Sequence, residues 1–204
     1  VLVVPLVFFL LIELGLTAAG VGKSYSYFNE IDIDGVRHYQ DNPDFADQFY
    51  PPSLNVGPLA NTFAVEPSDG RVRVLVLGGS AAMGFPHKNH GIDRLLAAQL
   101  RSMLPGKEIE VINTAMTAVN SHVVYEVART LPDGIADYAI ILMGNNEVVG
   151  PYGPGTLSQN FLSNLGFIRS LQSLKRTRLW QGLEGLINNA SADDAMADLE
   201  WRGM

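Results

Sequence analysis

Val74-Leu-Val-Leu-Gly-Gly-Ser-Ala-Ala-Met-Gly84 is the stretch whose reading decides the fold. An apolar run rich in Val and Leu and closed by glycine reads as a buried strand. Its abrupt change to small residues reads as a tight strand-to-helix turn that leaves the Ser80 hydroxyl at the mouth of a sheet. Two further stretches have the same form: Val111-Ile-Asn-Thr-Ala-Met-Thr-Ala118 and Ile140-Ile-Leu-Met-Gly-Asn-Asn-Glu147. Working outward, strands are expected over Val72–Leu77, Glu108–Ile112 and Tyr138–Met143, with helical spacing over Ile92–Leu104 and Ser121–Leu131. Strand and helix alternating at this interval predict parallel pairing through right-handed crossovers. Ligands of such open sheets bind beyond the carboxyl ends of the strands, where all three stretches fall.

Composition narrows the classes of function. The chain has 204 residues, 47% of them hydrophobic, enough for one core of ordinary size. A formal charge of −7 excludes a nucleic-acid partner, which requires a basic stripe to neutralise phosphates. With no cysteine there is no disulfide, thiolate nucleophile or thiolate metal site.

Val1–Val21 is almost unbroken apolar sequence, of the length that crosses a hydrocarbon core of about 30 Å. It is expected to be a transmembrane helix. A cleaved signal peptide has a shorter apolar region after a basic stretch, and a buried core helix is the other alternative. Glu13 inside the run has two readings: contact with another membrane subunit, or a position near the bilayer boundary where the cost of a carboxylate falls. Residues 23–70 are acidic, turn-rich and aromatic, with Tyr25, Tyr27, Phe28, Tyr39, Phe45, Phe49, Tyr50 and Phe63; they are expected to wrap the domain that follows. After the Pro151–Thr156 turn, Phe161–Asn189 suggests one or two amphipathic helices bearing Arg169, Lys175, Arg176 and Arg178. A solvated face explains that cluster better than a membrane-surface contact. Ser191–Glu200 reads as an acidic loop. The expected organisation is therefore an anchor over 1–22, a wrapping segment over 23–70 and an α/β domain over 71–204.

In order and spacing, the three stretches resemble the blocks of the SGNH (GDSL-type) hydrolases. The wider pattern, including Asn120-Ser121, Val149-Gly-Pro-Tyr152 and Trp201-Arg-Gly-Met204, resembles a bacterial group of membrane-anchored SGNH-like proteins. The resemblance implies a three-layer α/β/α, flavodoxin-like parallel sheet on the extracytoplasmic, periplasmic side of a membrane. It further implies Ser80 as nucleophile, with an oxyanion hole made from the Ser80 backbone N–H, the Ala118 backbone N–H and the Asn146 side-chain amide. No cofactor or metal is implied; the substrate would be an acyl ester.

Departures from the family pattern are specific. Gly79 stands where the family has Asp, and Ala118 where it has Gly; alanine keeps the N–H but resists positive φ. Glu147 replaces the family's Asp after Asn146. A nucleophilic serine needs a base, which the family takes from a late Asp-x-x-His, and no histidine follows His122. His87 and His90 in the loop after Ser80 are expected to be solvated, His122 to cap or pack, and His38 carries no signal. Two readings stand. Either the domain is incomplete at its C-terminus and the protein is a serine esterase, or it is a catalytically silent scaffold docked to membrane-protein subunits.

Overall fold

The structure, a computed structural model, describes residues 3–50, 57–155 and 164–187. The expected acidic loop Ser191–Glu200, the Trp201–Met204 motif and Thr156 lie outside them. In chain order the elements are α1 (Val3–Ala18), β1 (Phe28–Ile33), β2 (Val36–Asp41), a 3-10 turn at Pro43–Gln48, β3 (Thr62–Ala64), β4 (Arg71–Gly78) and α2 (Ser80–Met83). There follow α3 (Ile92–Met103), β5 (Glu108–Asn113), α4 (Ser121–Arg129), β6 (Tyr138–Leu142) and α5 (Leu165–Lys175). Two units divide the chain. One is Tyr25–Ile168; the other joins Val1–Ser24 with Arg169–Met204. Among the described residues, 169–187 thus group with the N-terminal helix.

Within Tyr25–Ile168, β4 is the centre of a parallel sheet in the order β5-β4-β6. Val74 pairs with Val111 on one side and with Tyr138 on the other. Successive side chains on a strand face opposite ways, and β4 uses both faces. Leu75 and Leu77 join Ile112, Met116, Val123, Val124 and Val127 in one core, while Val76 packs with Ala82 and Ala115 and, from α3, Ile92 and Leu96 in another. β6 differs: all five of its residues are exposed, Ile141 at 57%.

Phe28–Ile33, Val36–Asp41 and Thr62–Ala64 form something the sequence reading did not anticipate, an antiparallel sheet in the order β1-β2-β3. Ile33 pairs with Val36 across Asp34-Gly35, whose φ values of 54° and 81° are those of a two-residue hairpin turn. Asp32 Oδ1 accepts the Gly35 N–H at 2.8 Å and fixes the turn. Tyr27, Phe28, Phe45 and Phe63 pack edge to face, with ring centroids 4.9–5.2 Å apart, and join the core that contains Leu75 and Leu77. Asparagine 42 opens the 3-10 turn by accepting the Asp44 N–H just before Pro43.

Asp41, at the end of β2, is 4% exposed. Its Oδ2 accepts from the Asn61 N–H and Nδ2, at 3.0 and 2.7 Å, but its buried Oδ1 has no partner among the described residues. Burial pushes this carboxyl up to about 6, against 3.8 for a free aspartate. The native protein therefore holds a proton that the unfolded chain releases earlier. The associated stability is complete below the unfolded value and is lost as pH rises through about 6. Asp41→Asn should abolish that slope: within about 0.5 kcal/mol of the parent at pH 4 and more stable by about 2–3 kcal/mol at pH 7.5. Urea unfolding at the two pH values reads this difference directly. The same offset at both would show that Asp41 is ionised throughout.

In the other unit, the apolar run predicted to span a membrane forms a helix of 16 residues, Val3–Ala18. At 1.5 Å per residue it reaches about 24 Å, short of a hydrocarbon core of about 30 Å. No helix among the described residues is long and apolar enough to cross a membrane. The early stop has a local cause. Gly20 takes a left-handed φ of 69°, with Gly20 N–H bonded to Thr17 O and Val21 N–H to Leu16 O, the paired bonds of a Schellman termination. Glu13 has a role that neither sequence reading included. Its two oxygens accept the Arg178 and Leu179 N–H groups at 2.7 and 3.1 Å, capping the helical stretch 178–187, where a negative charge complements the helix dipole.

Candidate active site

Strand β4 ends at Gly78, where the fold needs glycine: an added Cβ would lie 2.0 Å from the Leu142 carbonyl oxygen of β6. Gly79 follows as the cap of α2, and its N–H donates to that same carbonyl at 3.2 Å. Ser80 is the first residue of α2. The four-residue helix closes on Gly84, whose left-handed φ of 95° lets its N–H return to Ser80 O. A Cβ on Gly84 would meet Gly91 N at 2.2 Å, so the glycine four residues after the serine permits both the turn and the approach of the chain before α3.

The loop after β5 is tied to α2 by buried Asn113, which donates to Ala82 O at 3.0 Å and to Asp93 Oδ1 at 2.7 Å and accepts the Ala115 N–H. Further along, Ala118 has φ 59°. A left-handed alanine costs about 1–2 kcal/mol, a conformation that glycine would adopt without that penalty. The loop after β6 fastens onto this one. Asn146 Nδ2 donates to Val119 O at 3.2 Å, Asn120 Nδ2 donates to Pro151 O at 2.9 Å, and Glu147 accepts both the N–H and the hydroxyl of Ser121. Glu147 thereby caps α4 across loops, a part the sequence reading did not assign to it.

The three loops enclose one shallow cleft of about 280 Å³, including the part open to solvent, lined by Gly79, Ser80, Ala81, Val119, Leu142, Met143, Gly144, Asn145 and Asn146. Ser80 and Asn146 are thus brought together; Ala118 adjoins the lining through Val119. Neither the Ser80 N–H nor the Ala118 N–H has a hydrogen-bond acceptor among the described residues. Unpaired amides beside a hydroxyl can receive a negative oxygen.

The chain matches no protein-family model, no curated protein and no solved structure among those compared.

The histidines take other places. His87 and His90 are exposed, their rings edge to face at 5.9 Å, and no cluster that could hold a metal ion occurs among the described residues. His122 lies edge-on to Tyr152 at 6.1 Å, and His38 Nδ1 is 2.8 Å from Val36 O in the antiparallel sheet. Among the described residues, no histidine or carboxylate is bonded to the Ser80 hydroxyl.

Site-supporting residues that sequence reasoning missed come largely from the segment before the sheet. Tyr50 Oη donates to Ala118 O at 2.6 Å, Tyr27 Oη to Thr114 O at 3.2 Å, and Asn61 Nδ2 to Asn113 O at 2.9 Å. Aromatic richness gave a packing signal for Tyr27 and Tyr50, but nothing in their spacing pointed to a polar function.

Proposed function

We propose that this chain is a serine hydrolase domain of SGNH type, acting on acyl esters and held to a membrane by the apolar Val1–Val21 segment. One observation carries the reading: Ser80 and Asn146 line the same cleft at the carboxyl ends of parallel strands. The strand order β5-β4-β6, with separate cores on the two faces of β4, supports a three-layer, flavodoxin-like arrangement. In the reaction, Ser80 Oγ attacks the ester carbonyl carbon, its proton passes to a histidine base, and the carbonyl oxygen gathers charge. The Ser80 and Ala118 amides and the Asn146 side chain receive that oxygen; collapse expels the alcohol, and water then releases the acid. By the resemblance that base would come from a late Asp-x-x-His, a block these 204 residues do not contain, so the reaction requires a protein that carries it.

Exposure of Val4, Leu6, Phe8 and Leu11 on α1, together with its lack of any buried residue, supports placing this helix against lipid or a membrane subunit. The extracytoplasmic side follows from the resemblance alone. A second reading, a silent accessory subunit of a membrane complex, is favoured by the apolar side chains that β6 and the loop after it leave uncovered: Ile141, Leu142, Met143, Val148 and Val149.

A fluorophosphonate probe separates the two. On the full chain, a covalent adduct located at Ser80 by mass spectrometry and absent from Ser80→Ala is the expected result. A folded protein that remains unlabelled would overturn the hydrolase reading and leave the accessory subunit.

A further inference from the structure

Three carbonyls, one at the end of β5 and two in the loop after it that carries Ala118, are held from outside the α/β sheet. Asn61 takes Asn113 O, Tyr27 takes Thr114 O and Tyr50 takes Ala118 O. All three donors belong to the segment that precedes β4, and the Tyr50 bond, at 2.6 Å, is the shortest of them. It falls on a residue in an unfavourable conformation. Ala118, at φ 59°, would relax toward negative φ if its carbonyl were released. That rotation would also turn the peptide whose N–H the oxyanion reading uses. Burial pushes the Tyr50 hydroxyl up to about 12 and raises that of Tyr27, so both stay protonated and able to donate at any pH near neutral.

We infer that Tyr50 is a positioning residue for the active site: its hydroxyl holds Ala118 in the left-handed conformation and so keeps the Ala118 N–H available to the reacting oxygen. The segment before the sheet is then a working part of the site and not merely its wrapping. This rests on the hydrolase reading. It extends that reading by giving the alanine at 118 a mechanism for doing what glycine does without help.

The test compares wild type, Y50F, A118G and Y50F/A118G in the full chain. The rate of fluorophosphonate labelling at Ser80 is measured beside the Ala118 carbon chemical shifts, which report the sign of φ; for the A118G proteins, labelling alone is read. Y50F removes one oxygen and keeps the ring, and its spectrum checks that it is folded. The expected result is about ten-fold slower labelling in Y50F, with Ala118 shifts moved toward negative φ, because small misplacement of a catalytic group costs rate steeply. In the A118G background the same change should cost less than about three-fold, since glycine holds the left-handed conformation unaided. A tyrosine that serves only packing would give the same fold-change in both backgrounds. Unchanged labelling or unchanged shifts in Y50F, with wild type labelled, overturns the inference. Wild type that remains unlabelled overturns the hydrolase reading itself and the positioning role with it.

Discussion

Arg73→Ala should lower the stability of the Tyr25–Ile168 unit by about 3–5 kcal/mol, the range for removing one partner of a buried ion pair. Arg73 lies within β4 with its side chain 3% exposed. Its Nε bonds Glu110 on β5, Nη1 donates to Ile135 O at 3.2 Å, and Nη2 donates to Ala64 O, at the end of β3, at 2.7 Å. Its guanidinium carbon stands 4.8 Å from the centre of the Phe63 ring. One planar fork thus joins the antiparallel sheet, the parallel sheet and the turn before β6, and alanine would leave three carbonyls, those of Ala64, Val65 and Ile135, without this donor. Lysine cannot reach three diverging acceptors with one ammonium, so Arg73→Lys should recover only part of the loss. The contrasting case is Arg37, which pairs with Glu30 and Glu66 at 59% side-chain exposure; Arg37→Ala should stay within about 1 kcal/mol. Urea midpoints measure all three, and an Arg73→Ala loss as small as that of Arg37→Ala would remove Arg73 from this structural role.

Arg73 also marks where sequence reading stops. Strands β4, β5 and β6 were legible to within a residue or so, because Val, Leu and Ile in short runs closed by Gly or Asn leave few alternatives. Helices α3 and α4 followed from apolar spacing, and the loops from the strand ends. An arginine inside such a run carries no sign that it is buried, since charged residues are mostly exposed and only its partners, distant in sequence, make burial possible. Asp41 was opaque for the same reason, and Glu147 because its partner Ser121 is distant in sequence.

The hairpin of β1 and β2 was hidden differently. Phe28-Asn-Glu-Ile-Asp-Ile33 and Val36-Arg-His-Tyr-Gln-Asp41 are too polar to announce strands, and the Asp34-Gly35 signal between them reads as a turn until both flanks are seen to pair. The N-terminal helix ends where hydropathy gives no signal. Hydropathy continues to Val21, but Gly20 ends the helix by backbone conformation, which hydropathy does not register.

Asn146→Ala should slow fluorophosphonate labelling of Ser80, and hydrolysis of any ester the protein accepts, by about 10²–10³-fold, the effect of removing one oxyanion-hole donor. The site allows this to be separated from a structural effect. Among the described residues Asn146 Nδ2 makes one bond, to Val119 O at 3.2 Å, a long contact whose loss should cost only about 0.5–1.5 kcal/mol of stability. The loop has other fastenings that alanine leaves in place: Glu147 to Ser121, Asn120 to Pro151 O, and the Gly150 N–H to Asn146 O at 2.7 Å. A large kinetic loss with a nearly unchanged melting temperature would therefore place the amide on the reacting oxygen. Asn146→Asp sharpens the point, because it keeps the shape but aims negative charge at an oxygen that is itself becoming negative, and at neutral pH it should be no better than alanine. For the ester, the loss should fall on kcat and leave KM nearly unchanged, as it does when an interaction forms only in the transition state. Labelling within about three-fold of wild type in Asn146→Ala would instead make Asn146 a strand-end turn residue whose work is finished at Val119 O.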